Sequence, residues 1–238
     1  HPLSSSRISD AFNASENLPK EGTKEDSLEF ALMKTRLEIY YENIPSNALR
    51  TFKSRVEDDP ADKNIYGLAL AHKENNQYQE SIQLIDKLIK SYPKNLVINN
   101  TKVDILFEFG EYEEALNLAN RFLEISPRNY PLSISKAKIL LSMNRYFESE
   151  EIIRDQLLRK NSNPELWFLL SEIQRSSKNI IGYHQSRAEY FLLLGQNQRA
   201  LNQLEFALKL TQNNFQVSES IMTKIIEIKK DINQSRGL

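Results

Sequence analysis

The sequence predicts an all-α solenoid of about six helical hairpins. Three observations carry that reading. The stretch Gly110-Glu111-Tyr112-Glu113-Glu114-Ala115-Leu116, closed by Pro127, recurs 34 residues away on either side. It returns as Asn76-Gln77-Tyr78-Gln79-Glu80-Ser81-Ile82 ahead of Pro93, and as Asn144-Arg145-Tyr146-Phe147-Glu148-Ser149-Glu150 ahead of Asn161. Several positions keep that step or fall one residue short of it: Tyr78, Tyr112 and Tyr146; the small residues Ala48, Ser81, Ala115 and Ser149; and Pro60, Pro93 and Pro127. Finally, six Gly and eight Pro in 238 residues leave room for long uninterrupted helices.

A period of about 34 with a small residue after the turn and a proline after the second helix resembles the tetratricopeptide (TPR) signature. The resemblance implies a binding scaffold. It also implies that the first helix of each hairpin lines a concave surface.

In the first hairpin, Leu28, Ala31, Leu32, Thr35, Leu37 and Ile39 supply a helical stripe between residues 25 and 43. Pro45 suits the first turn of the next helix, which carries Ala48, Leu49, Phe52 and Val56 and ends before Asp59-Pro60, because the residue before proline disfavours the α region. The later hairpins are predicted as helix pairs at 61–75 and 78–91, 95–109 and 112–125, 129–143 and 146–160, 164–176 and 179–194, and 197–211 and 215–234. The tyrosines fill the groove between paired helices, and Trp167 packs inside the fifth hairpin. The helix at 179–194 fits the repeat in two registers, since Ala188, Gly195 and Ala200 also obey it. In the last helix, Ile221, Ile225, Ile228 and Ile232 form one apolar face and Lys224, Lys229, Lys230 and Asp231 another, as a terminal cap requires.

Composition narrows the function. Net charge is −1 with both signs mixed along the chain, which argues against a nucleic-acid-binding stripe. No apolar run approaches the length of a membrane span. The chain has no cysteine, so disulfides and thiolate metal sites are excluded. It begins without Met and is expected to be a fragment or a mature product.

Residues 1–24 differ from the rest. Ser4–Ser6 could cap a short helix reaching about Asn13, and Leu18-Pro19-Lys20-Glu21-Gly22 reads as a linker. His1, Pro2, Arg7 and Ile8 resemble the segment that closes the catalytic domain of HExxH zinc peptidases. Tyr183-His184-Gln185-Ser186-Arg187-Ala188-Glu189-Tyr190-Phe191, followed by Leu194–Leu204, resembles the last TPR hairpin of the same family, the BepA (YfgC) type of bacterial periplasmic metalloprotease and chaperone. The resemblance implies that residues 1–24 end a peptidase domain lying upstream, and that 25–238 form its TPR tail. It implies zinc in the parent protein, the periplasm as compartment, and a part in outer-membrane protein assembly and quality control. The expected partner is the assembly machinery or an unfinished outer-membrane protein. The zinc helix of that family needs two histidines at i and i+4 around a glutamate. The chain has His1, His72 and His184, none followed by Glu-x-x-His, so no peptidase activity is expected of it; His1 alone is placed to reach a zinc site upstream. A freestanding TPR adaptor is the alternative reading.

The repeat register nominates the partner-binding residues. First-helix positions facing the concave side are Phe30, Met33, Leu37, Tyr40 and Tyr41; Lys63, Tyr66, Leu70 and Lys73; Val97, Asn100, Asp104 and Phe107; Ile134, Lys138 and Leu141; and Phe168, Glu172 and Arg175. Tyr66, Leu70, Phe107, Ile134, Leu141, Phe168 and Arg175 are the candidate contacts. The positions that hold Lys and Asn in the two-carboxylate clamp of TPR chaperone partners carry Tyr66, Asn100, Ile134 and Phe168, so that clamp is not expected. An apolar, aromatic row rimmed by charge suits an apolar protein segment anchored by aromatic contacts.

Overall fold

The computed structural model describes residues 27–211 and 214–236. The segment 1–24, with its expected short helix, its linker and His1, lies outside the described residues. Among those described there are twelve helices: α1 Leu28–Tyr41, α2 Pro45–Asp58, α3 Asp62–Glu74, α4 Tyr78–Ser91, α5 Leu96–Phe109, α6 Tyr112–Ile125, α7 Tyr130–Ser142, α8 Tyr146–Leu157, α9 Pro164–Ser176, α10 Ile180–Leu193, α11 Asn197–Leu210 and α12 Phe215–Arg236. These match the predicted spans closely, and the fold is an all-α TPR solenoid.

The repeat is written into the turns. Asn76, Gly110, Asn144 and Lys178 each take the left-handed conformation, with φ of 58°, 93°, 60° and 63°. They stand 34 residues apart and reverse the chain between α3 and α4, α5 and α6, α7 and α8, and α9 and α10. Asn and Gly tolerate this region best. Tyr78 and Tyr146 each donate a hydroxyl hydrogen bond to the turn asparagine two residues earlier, at 2.8 and 2.6 Å. Where the turn residue is Gly110, Tyr112 instead lies against Phe107. The starts of the first helices share another device. Asn95, Asn129 and Asn163 cap α5, α7 and α9 by accepting a backbone N–H of the first turn.

Close approach inside a hairpin follows from the small residues. Ser81, Ala115 and Ser149 are fully buried. The Ser81 and Ser149 hydroxyls donate to the carbonyls of Ala69 and Ala137 on the partner helix, both at 2.7 Å. The apolar interior is a string of clusters: three overlap along the chain, spanning α1 to α5, α5 to α8 and α7 to α9, and a separate one spans α10 to α12. Ile82 and Ile152 each pack against two of them. Trp167 is part of this packing, and its indole N–H donates to the Asn161 carbonyl at 2.7 Å.

Two features depart from a uniform stack. A fifth left-handed turn, Gly195 at φ 70°, comes 17 residues after Lys178 instead of 34. α10 therefore closes a tight hairpin with α9 and opens another with α11, as its double register implied. α1 is the second departure. It packs closely on α3 rather than on α2, to which the ion pair of Glu38 with Arg55 ties it. A depression of about 760 Å³ is left between α1, the end of α2 and the start of α3.

The apolar residues of α1 are spread around its circumference instead of gathered on one face, so it can bury some of them and still present others. Leu32, Thr35 and Ile39 are buried. Leu37, which the sequence assigned both to the apolar stripe and to the concave-facing positions, is exposed beside Phe30, Met33, Tyr40 and Tyr41.

Candidate functional site

The inner surface divides into a closed and an open half. The closed half lies where α1 covers α3 and reaches α5. Arg36 on α1 donates to the Thr101 hydroxyl at 3.0 Å and meets the Asp104 carboxylate at 3.4 Å. Thr101 also bonds the Tyr66 hydroxyl at 2.8 Å, and Asp104 accepts from Ser135 on α7 at 2.7 Å. Burial lowers the Arg36 pKa, but Tyr66 and Asp104 more than offset this and the net shift is upward. Lys73 behaves alike: burial opposes its charge, yet Glu108 and Glu74 win and raise its pKa. A raised lysine pKa means that this contribution is in place at neutral pH and is lost as pH climbs through the folded-state value.

This half corrects the sequence reading at two candidate contacts. Tyr66 is 0% exposed and Leu70 is 4% exposed. Tyr66 sits under α1 and presents no surface to a partner, and Leu70 shows only a trace of itself at a pocket beside Ile39 and Phe107. Asn100 is likewise buried. The register placed all three on the correct face of their helices. It did not show that another helix of the same chain lies on that face.

The open half is formed by α7, α9 and α10. Tyr130, Ile134, Lys138, Phe168, Leu169 and Tyr190 line a groove of about 450 Å³. Phe168 is 41% exposed, and its ring lies 5.4 Å from that of Tyr190. Lys138 also borders a second pocket of about 300 Å³, lined by Ile39, Leu70, Asp104 and Phe107. The two pockets thus adjoin along the inner surface. Of the candidate contacts, Ile134 and Phe168 come together in the larger pocket and Phe107 lines the smaller. Leu141 is half-buried against the α7–α9 core, and Arg175 is exposed and paired with Glu172 on its own helix.

Sequence reasoning missed Tyr130, Tyr190 and Arg187. Arg187 is half-buried, its guanidinium 5.2, 5.3 and 5.1 Å from the ring centres of Phe168, Tyr190 and Phe191. Its Nε is buried without a hydrogen-bond partner. The signal for these residues was the double register of α10: a helix that also opens a hairpin presents its own residues to the inner surface.

A larger depression of about 650 Å³ lies between α6, α7 and α8. It holds Glu124, Glu151 and Asp155 with Lys136 but no aromatic ring, and it opens broadly to solvent. The described residues do not fit a zinc site. His72 and His184 are engaged by Gln77 and Gln203 in different hairpins, and no three His, Asp or Glu side chains among the described residues converge on one point. No described helix is long and apolar enough to cross a membrane.

Comparison with known proteins agrees with the geometry. Residues 66–130 and 106–173 match family models described as tetratricopeptide repeat. Similar solved structures include PilW, titled a widely conserved type IV pilus biogenesis factor, with TM-score 0.60 at 14% identity over 84% of this chain and 93% of that one. The pilF protein of Pseudomonas aeruginosa gives 0.58 at 15% identity over 84% and 90%. A tetratricopeptide repeat protein from Parabacteroides merdae gives 0.52 at 12% over 93% and 90%. Such identities speak to the fold alone. No curated protein matches the sequence.

Proposed function

We propose that this TPR solenoid, a protein-interaction fold, holds a segment of a partner protein in the open half of its inner groove. The observation that carries the reading is the exposed aromatic floor of Phe168 and Tyr190 beside Ile134 and Lys138, in a concave site large enough for bulky side chains. Aromatic anchors in a pocket supply most of the affinity in such contacts.

The finer reading rests on the resemblance of the N-terminal motif and the α10–α11 region to BepA-type proteins. On it, the chain is the recruiting tail of a periplasmic zinc metalloprotease and chaperone for outer-membrane protein assembly. The array holds an assembly subunit or an unfinished client close to an upstream zinc site, and tethering raises effective concentration there without touching the chemistry.

Two experiments test these levels separately. A photocrosslinking residue at position 168 should trap a protein partner in cells, and Phe168→Glu should reduce capture about tenfold with the thermal unfolding curve unchanged. Unchanged capture on an intact fold would remove the groove from the account. The native coding sequence upstream of His1 decides the finer reading. An HExxH helix there supports a protease tail, whereas a start codon immediately before His1 leaves a freestanding adaptor.

A further inference from the structure

Cations without an ion pair among the described residues stand in and beside the groove of α7, α9 and α10. Arg187 pairs with no carboxylate among the described residues, and its Nε is buried and unbonded. The three rings around it offset part of the cost of desolvating a cation. Lys138, exposed on the α7 wall, has no carboxylate partner among the ion pairs of the described residues. Across the groove, Lys160 lies over the Tyr130 ring at 4.2 Å. One carboxylate, Glu165, stands in the lining. Lys138 in the lining, Arg187 behind the Phe168 and Tyr190 rings and Lys160 over Tyr130 thus outnumber the single carboxylate of this aromatic pocket.

We propose that the natural occupant is an acidic, apolar peptide segment. A large apolar side chain enters between Ile134, Phe168 and Tyr190, and flanking Asp or Glu carboxylates meet Arg187 and Lys138. The inference deepens the protein-binding reading and rests on it. A carboxylate brought to a partly desolvated guanidinium forms charge-assisted hydrogen bonds, which are stronger than neutral ones. The same charge disfavours a basic segment in this place.

The test is selection of a random-peptide library, displayed on phage, against the full chain. Enriched peptides should combine Asp or Glu with a large apolar residue. A synthetic peptide of the selected sequence should bind about tenfold more weakly to Arg187→Gln and severalfold more weakly to Lys138→Glu, and added salt should weaken binding to the unaltered chain. Replacing the peptide's Asp and Glu by Asn and Gln should erase the difference between the unaltered chain and Arg187→Gln. Lys138 is exposed, so its variant keeps the test open even if Arg187→Gln unfolds the chain. Enrichment without acidic residues, or binding insensitive to both variants, would overturn the assignment of ligand chemistry while leaving a protein-binding groove in place. Failure to enrich any peptide, together with loss of the crosslink at position 168, would remove both.

Discussion

A Cβ at Gly67 would lie 2.1 Å from the Phe52 ring, so that ring of α2 packs directly on the α3 backbone. Gly67→Ala should lower stability by about 1–3 kcal/mol in a denaturant melt, with Phe52→Leu recovering part of the loss. Gly110 is glycine for a different reason. Nothing lies within 4 Å of its would-be Cβ, but its φ is +93°. Gly110→Ala should cost about 1 kcal/mol through backbone strain alone. Gly110→Asn should cost less, because the equivalent turns already use Asn76 and Asn144. The tyrosines and small residues of the repeat were legible in the sequence because each has one structural partner set by the hairpin itself. The capping asparagines Asn95, Asn129 and Asn163 carry the same period and escaped notice, being overshadowed by the prolines and apolar residues beside them. Tyr66 was misread because its burial depends on a helix that the repeat pattern does not place.

That helix is α1, and its position rests on few polar contacts. Arg36 bridges it to Thr101 and Asp104, and Asn95 donates to Glu29 at 2.9 Å. Arg36 and Asp104 remain about one third exposed, which limits the gain from their attraction. Arg36→Ala should loosen α1 by about 1 kcal/mol. The expected reading is faster amide hydrogen exchange across 28–41 with α7 to α11 unchanged; uniform loss of protection would show instead that α1 unfolds together with the array. The presence of α1 was clear from its apolar residues, and Ser27, which accepts the Phe30 N–H, sets its start inside the expected span. Its docking was not clear, because a helix whose apolar residues are spread around its circumference has no single face that the sequence marks as inward. The open groove was half legible: the register named Ile134 and Phe168, whereas Tyr190 and Arg187 needed the actual crossing of α10 with α9.

Across the whole molecule, each helix depends on its neighbours in the chain, so stability should be distributed as nearest-neighbour terms. α12 seals one end by laying Ile221, Ile225 and Ile228 over Ala188, Leu201 and Leu204. Lys224 also reaches back to Glu189 on α10 at 2.6 Å. Removing residues 215–238 should bare that apolar face. Size-exclusion chromatography should then show self-association, and exchange protection should fall first in α11 and α10 while α3 to α6 keep theirs. An intact monomer with unchanged protection would contradict a sealing role for α12.

The half-step at Gly195 has an arithmetical consequence. In a strict two-helix repeat, the parity of a helix fixes the layer it occupies, so material can be inserted or lost in pairs alone. α10 counts twice, as the second member of one pair and the first of the next. From there on odd and even exchange roles, and α12 is phased as an opening helix rather than a closing one. A single 17-residue step thus resets the phase of the array where one buried cluster gives way to the next, and lengthening by one helix becomes admissible at this joint.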